Sequence, residues 1–442
     1  MATHIEYTPS SSPTGIQQTI SFWMKKSELG TDQCIFEARQ NGTNLSSVKF
    51  NTNDELQIYS ENGGTTNVYL KTNRRFRDPN GWYHIVYAID TSQGTAADRI
   101  KMYVNGVQET SFSSSTYPSQ NYDNFWYGIA QKQVIGRDNQ GGGSEDFQGI
   151  LSHFHYSRGY VYQASTFGST DSTTGEWKIN TAPSGVNYGA TGWFILKDGN
   201  SVTDQSGNGN NFTVGSGTLT KTEDNPSNVF CTLNPLSQDI SAYASGNAGV
   251  IDTQNGNTFG NKVTHGAYLG TIGVSSGKYY WEVKVGDTNQ LIGIVAMRPT
   301  GGNTYLYDDA TINGYYPWGN DVYTNGSSAS GGPYDNTSNK IYSFALDATN
   351  NKLWVGRDGT FTGDPANGTG ATWASLPTGH EWTPVMHSMS TSQNNYAYFN
   401  FGNGYFGTTA VSSAGTNASN NGIFEYNVPT GFTALSTKGL NE

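Results

Sequence analysis

The apolar positions of this chain fall in short runs with a period of two. In "RIKMYVNG" (99–106), Ile100, Met102 and Val104 share one face, Lys101 and Tyr103 share the other, and Asn-Gly closes the run. The alternation predicts a half-buried antiparallel strand, and Asn-Gly predicts a tight hairpin turn. The same grain runs through "TISFWMKK" (19–26), "CIFEA" (34–38), "SVKF" (47–50), "LQIYS" (56–60), "GWYHIVYAID" (81–90), "QVIGRD" (133–138) and "GILSHFHYSRG" (149–159). It resumes in "GKYYWEVKVGD" (277–287), "QLIGIVAM" (290–297), "NKIYSFALDATNNKLWVGRDGTF" (339–361), "EWTPVMHSMS" (381–390) and "NYAYFNFGNGYF" (395–406). Gly, Asn, Ser and Asp cut these runs at intervals of about ten residues. The expected fold class is all-β, and 442 residues suit two tandem antiparallel β-sandwiches better than one core.

Composition narrows this further. Aromatic residues make up 13% of the chain, too many for disorder, while Glu, Lys, Leu and Ala are too sparse for a helical protein. The net charge of −11 is spread along the chain, and the one dense basic cluster is "RRFR" (74–77). A single tetrapeptide is not a basic face, so Arg74, Arg75 and Arg77 are expected in a solvated loop and nucleic acid is not the expected partner. "MATHIEYTPSSSP" has no basic or apolar region of a secretory signal, and no run approaches the roughly 18 apolar residues of a membrane span. Cys34 and Cys231 are expected as separate small buried hydrophobes.

One segment fits neither a linker nor a central strand. "DNPSNVFCTLNPL" (224–236) opens and closes on Asn-Pro yet carries Val229, Phe230, Leu233 and Leu236. Flexible linkers have no use for such side chains, and two prolines are wrong for an interior strand. It is expected to be a rigid seam between a first sandwich (1–223) and a second (237–442).

The series "ISFWMK…GWYHIVYAID…DRIKMYVNGV…VIGRD…FQGILSHFHYSRG" resembles a laminin-G/concanavalin-like lectin domain over about residues 18–160. "GWFILKDGNSVTDQSGNGNNFTV" (192–214) is similar to a further element of that family and extends the module to about 220. In the second half, "GKYYWEV…IGI…YSFALDATNNKLWV…YAYFNFG" resembles a SPRY domain over about residues 245–405. This resemblance implies that Gly277 turns into a strand, that Trp281 and Val283 face the core, and that "DATNN" (347–351) forms a hairpin loop. The seam followed by a SPRY-like half, with "VPTGFTALSTKGLNE" (428–442), looks like tailed-bacteriophage virion proteins. That likeness implies a virion location after synthesis in host cytoplasm, other virion proteins as partners, and a homo-oligomer, with a trimer favoured.

Several motifs carry bland readings beside the chemical ones. "GNGYFG" (402–407) has a dinucleotide-binding spelling, but "TTAVSSAGTNASNNG" follows it instead of a helix, so its glycines are expected in turns. His153 and His155 would share one face of a strand as metal ligands do, and an exposed strand face explains them equally. Asp198 and Asp204, with Asn208 and Asn210, can offer oxygens to calcium, as laminin-G-like domains often do, or can simply make Asx turns. No other cofactor is indicated. There is no G-x-S-x-G elbow, and the alternating acids of concanavalin-like glycanases are missing. Adjacent Asp308 and Asp309 would point oppositely on a strand. The expectation is a protein that is not an enzyme.

The positive signal lies in two aromatic stretches. "NTYLYDDATINGYYPWGNDVY" (303–323) gathers Tyr305, Tyr307, Tyr315, Tyr316, Trp318 and Tyr323 with Asp308, Asp309, Asn313 and Asp321. "YPSQNYDNFWYG" (117–128) gathers Tyr122, Asp123, Phe125, Trp126 and Tyr127. Flat rings for the C–H patches of a pyranose and short polar groups for its hydroxyls are what glycan binding needs. The same residues also serve packing and subunit contacts. The expected role is a virion surface appendage that attaches to host cell-surface polysaccharide, with Trp318 as main platform. The alternatives are a glycan depolymerase and a purely structural decoration protein.

Overall fold

The computed structural model describes residues 3–441 apart from 14, 141–144, 198, 200, 235–236, 238–257, 263–265, 300–305, 390–394 and 414–419. The chain divides into two compact units, Met1–Lys221 and Thr222–Glu442. Each is an antiparallel β-sandwich of the concanavalin-like, jelly-roll kind.

In the first unit an eight-stranded sheet runs in the order Phe112–Thr116, Thr65–Arg75, Glu55–Asn62, Asn44–Phe50, Gln33–Asn41, Gln133–Ile135, His4–Tyr7, Thr213–Ser216. A six-stranded sheet runs Trp193–Ile195, Gly149–Arg158, Gln17–Lys26, Tyr83–Asp90, Ile100–Val104, Val107–Glu109. The alternation in "RIKMYVNG" does what it predicts. Ile100, Met102 and Val104 are buried, Lys101 and Tyr103 half-buried. Asn105 and Gly106 take the left-handed conformation (φ 48° and 79°), and Val104 pairs with Val107 across the turn. The core fills from both inner faces, with Phe36 stacked on Tyr127 at 4.6 Å and edge-on to Trp193 at 5.7 Å.

The second unit repeats the plan. One sheet runs Thr258–Lys262, Asn395–Asn400, Lys278–Val285, Ile341–Asp347, Lys352–Arg357, Thr360–Phe361, with Thr433–Ala434 added in parallel to Lys278–Val285. The other runs Ala267–Leu269, Trp382–Ser388, Gln290–Ala296, Asn313–Tyr316, Asp321–Thr324, Ser327–Ser330. Trp281 and Val283 face the core between them, and Gly277 enters its strand at φ 91°. Asp347 pairs with Lys352, so the hairpin loop falls within 347–351 as read.

Residues 224–234 are built into this second unit. The Cys231 N–H donates to Leu435 O at 2.9 Å, Thr437 N–H to Val229 O at 2.9 Å, and Asn234 N–H to Leu269 O at 2.8 Å. Phe230 is buried with Tyr280, Trp354, Phe424 and Phe432 on the far face of the first-named sheet. Burial of such a ring contributes roughly 1.5–3 kcal/mol, and here it serves the C-terminal segment's attachment. Pro235 and Leu236 lie outside the described residues.

The "RRFR" cluster is absorbed structurally. Arg74 reaches Glu109 at 2.8 Å, Arg77 reaches Asp54 at 2.9 Å, and Phe76 is in the core. Asp54 also takes the buried Lys26 at 2.7 Å, and that ammonium lies 4.2 Å above the Phe50 ring. Cys34 and Cys231 are buried free thiols, one in each unit.

Candidate functional site

The stretch 303–323 becomes a turn and a hairpin. Asn313–Tyr316 pairs with Asp321–Thr324, Tyr316 opposite Asp321, leaving Pro317, Trp318, Gly319 and Asn320 as the connection. Consecutive residues on a strand point to opposite faces. Tyr315 therefore enters the sandwich core, and Tyr316 enters a smaller cluster on the outer face with Leu306, Ile312 and Tyr323. The turn keeps Trp318 off both faces. It is 58% exposed, whereas the other nine tryptophans are buried or half-buried, all ten being among the described residues.

The exposed indole sits on a fixed backbone. Trp318 N–H donates to Thr288 O at 3.0 Å, and Gly332 N–H donates to Asn320 O at 2.8 Å. The buried Tyr315 hydroxyl lies 2.8 Å from Asn320 Oδ1 and 2.6 Å from Tyr334 O, one proton between two acceptors. Asn320 adopts φ 53°, which Asn tolerates better than most residues. The Tyr316 hydroxyl donates to Asn289 Oδ1 at 2.6 Å, and the Trp318 ring leans 38° from that of Tyr316 at 6.2 Å. A side chain on Gly319 would collide with the Asp321 carboxylate, which places that charge beside the tip.

The local field is acidic. Burial pushes the Tyr316 hydroxyl up to about 12, helped by Tyr323, Asp321 and Asp287. Tyr323 is raised by burial first, then by Asp321 and Asp308, against a hydrogen bond from Ser328. Asp287 and Asn289 belong to this site, although neither stands out in the sequence. Only the turn that brings 286–289 under Trp318 reveals them.

Other expected site residues fall elsewhere. Tyr315, at 0% exposure, is a core ring and cannot meet a sugar face. Asp309 is buried and accepts from Thr311 N at 2.8 Å and Thr311 Oγ1 at 2.5 Å, so it shapes a turn. Asp308 is exposed, and Tyr307 is half-buried, edge-on to His387 at 5.1 Å. Asp321 is half-buried and Tyr305 lies outside the described residues.

In the 117–128 stretch Tyr122, Phe125 and Tyr127 turn inward and Trp126 is half-buried, so Tyr122 and Tyr127 do not offer the sugar-facing rings expected of them. Tyr127 and Phe125 are in the first unit's core, and Tyr122 is buried edge-on to Phe125 at 5.2 Å. Trp126 donates its indole N–H to Glu61 O at 2.9 Å, and its backbone N–H donates to Ser46 Oγ at 3.0 Å. Asp123 accepts from Gly15 N and lies 3.3 Å from Arg158. Tyr122 and Trp126 pack here with their polar atoms bonded to Asn67, Asn124 and Glu61, whereas the Tyr127 hydroxyl is buried among core rings with no hydrogen-bond partner among the described residues.

Asp204, Asn208 and Asn210 are likewise engaged in structural hydrogen bonds. Asp204 is buried and its carboxylate accepts from Phe194 N, Ser206 N, Ser206 Oγ and Asn210 N at 2.7–2.9 Å. Asn208 and Asn210 each donate to Gly192 O, and Tyr7 donates to Asn210 Oδ1. Asp198 lies outside the described residues. His153 and His155 are buried, not on an exposed face: a bulge at His153 (φ 46°) breaks the alternation, and His155 stacks on Phe194 at 3.8 Å. Among the described residues no group of three or more His, Cys, Asp or Glu converges as metal ligands do. In "GNGYFG", Gly402 and Gly404 sit at φ 117° and 87° and donate to Asn400 Oδ1, as turn glycines.

The sequence gives no warning of Glu282. It lies on an apparently half-polar strand, yet is fully buried and accepts from Glu425 N, Tyr426 N, Tyr280 Oη and Asn400 Nδ2. Burial pushes it up to about 7 against those four donors. It ties down the C-terminal segment and is closed to substrate.

Residues 2–165 match the concanavalin A-like lectin/glucanases superfamily. The first unit has a lectin-like fold. No curated protein matches the chain in sequence. Similar solved structures include the SPRY domain of human HERC1, at 16% identity over 34% of this chain and 90% of that one, with a TM-score of 0.28. A heptameric SAP-like pentraxin from Limulus polyphemus shows 16% identity over 49% and 90%, with a TM-score of 0.30. The CBM40 of Ruminococcus gnavus IT-sialidase, bound to α2,3-sialyllactose, shows 15% identity over 37% and 90%, with a TM-score of 0.29. Scores this low carry no functional weight.

Proposed function

We propose that this protein is a non-catalytic, glycan-binding surface appendage of a bacteriophage virion, and that Trp318 is the ring on which the host polysaccharide stacks. The observation that carries the reading is a 58%-exposed indole held on a hydrogen-bonded turn. Exposing so large an apolar face costs solubility and gains the fold nothing, whereas a pre-ordered ring loses little entropy when a sugar covers it. The superfamily match of residues 2–165 supports a lectin-like role for the chain. The virion assignment rests on the sequence resemblance of 224–236 and 428–442 to tailed-phage proteins. In that setting the chain is a homo-oligomer, a trimer, with 224–236 as a rigid seam between its sandwiches. Sedimentation equilibrium and limited proteolysis at that seam check these two points.

The test of function is direct. Host cells are incubated with the fluorescently tagged protein, its Trp318→Ala variant and its Trp126→Ala variant. Loss of cell binding in the first variant alone is expected. Undiminished binding by a folded Trp318→Ala protein overturns the reading and leaves the indole as an assembly contact.

A further inference from the structure

The charges around the exposed indole bear on which glycan it takes, given the reading of Trp318 as a glycan platform. Asp321 lies against Gly319, the residue that follows Trp318. Asp287 caps the neighbouring turn by accepting from Asn289 N at 2.8 Å, and Asn289 in turn receives the Tyr316 hydroxyl. Thr288, between them, holds the Trp318 backbone. Two carboxylates thus lie on the two segments that meet at the Trp318 backbone, one beside Gly319 and one beside Thr288. Among the described residues neither Asp287 nor Asp321 is held in an ion pair, and the charged groups acting on Tyr316 and Tyr323 are all acidic.

We propose that the Trp318 surface selects by charge, taking glycans with free amino groups ahead of neutral ones and excluding those that bear carboxylate, sulfate or phosphate. An ammonium near the ring gains from the indole's π face and from both carboxylates, and it neutralises a field that is otherwise uncompensated. A uronate or sulfate at the same place meets two like charges. Exposed pairs are each worth up to about fivefold in affinity, so two should separate amino from neutral sugars by roughly twentyfold at low salt. Salt should erase most of that gap, because the carboxylates are near water.

The experiment measures binding of the full chain to three oligosaccharides of one length and linkage: a glucosamine oligomer, its N-acetylated form and a uronic-acid oligomer. The pH is kept low enough to charge the amines. Expected are tightest binding to the glucosamine oligomer, about twentyfold weaker binding to the N-acetylated form and none to the uronate. Asp287→Asn with Asp321→Asn should close the gap between the glucosamine oligomer and its N-acetylated form. If the double variant does not fold, Asp287→Asn alone should narrow the gap about fivefold. Trp318-dependent binding of the uronate as tight as the others overturns the charge selection and leaves the glycan reading standing. Binding that survives Trp318→Ala, or no binding to any oligomer, overturns that reading and the selection with it.

Discussion

The two aromatic loops share a composition and have opposite fates. In 117–128 the rings of Tyr122, Phe125 and Tyr127 turn inward, and the Trp126 indole N–H finds a backbone carbonyl. In 303–323 a short hairpin sends Tyr315 to one face and Tyr316 to the other, and the turn between the strands leaves Trp318 in water. Aromatic density therefore accompanies an exposed ring in one loop and core packing in the other. What separates them is backbone geometry: a loop without strands can fold its rings under itself, but a four-residue hairpin connection cannot.

The sharpest way to break this contrast is to truncate one ring from each loop. Tyr127→Ala leaves a cavity beside Phe36 and should cost about 3–5 kcal/mol in urea unfolding. Trp318→Ala should stay within about 0.5 kcal/mol of the parent. Equal losses would mean that Trp318 is structural.

A second contrast is electrostatic. Asp54 in the first unit is held below the ordinary carboxylate range: burial opposes this, but Lys26, Gly30 N–H and Arg77 outweigh it. Its stabilisation is present above the unfolded value and fades as pH falls. Glu282 in the second unit is raised to about 7 by burial. Its contribution is complete below about 4.5 and is lost as pH rises through 7, on the order of 3 kcal/mol. Hydrogen exchange of second-unit amides between pH 4.5 and 7.5 should show protection falling, and Glu282→Gln should flatten the slope. Protection rising with pH would mean that the four donors outweigh burial.

Smaller effects follow. Trp318→Ala should weaken polysaccharide binding by about 2 kcal/mol, roughly thirtyfold by isothermal titration. Trp126→Phe keeps a ring but strands the Glu61 carbonyl, and should cost about 1–2 kcal/mol of stability with binding unchanged. Altered binding there would reopen the first loop as a site.

Much of the fold was legible because its signals are local. The alternation of Ile100, Met102 and Val104 and the Asn105–Gly106 turn need no distant partner, nor do the glycines of "GNGYFG". The rest depends on residues far away in sequence. Glu282 reads as a solvent-facing position because nothing local announces that residues 425–426 will cover it. His153 and His155 read as a regular pair because the bulge between their neighbours is set by pairing to Gln17–Lys26. Tyr315 and Tyr316 are both aromatic, so a period of two cannot say which enters the sandwich core. Trp318 was legible for a simple reason: Pro317 before it and Gly319 after it mark a turn, and turns expose.

The central claim concerns one indole among ten tryptophans. In protein labelled with 5-fluorotryptophan, the ¹⁹F resonance of Trp318 can be assigned by its loss in Trp318→Phe. Titration with host polysaccharide should move or broaden that resonance first and most, leaving those of Trp126 and the core indoles in place. Binding that leaves the Trp318 resonance unmoved while another shifts would contradict the account.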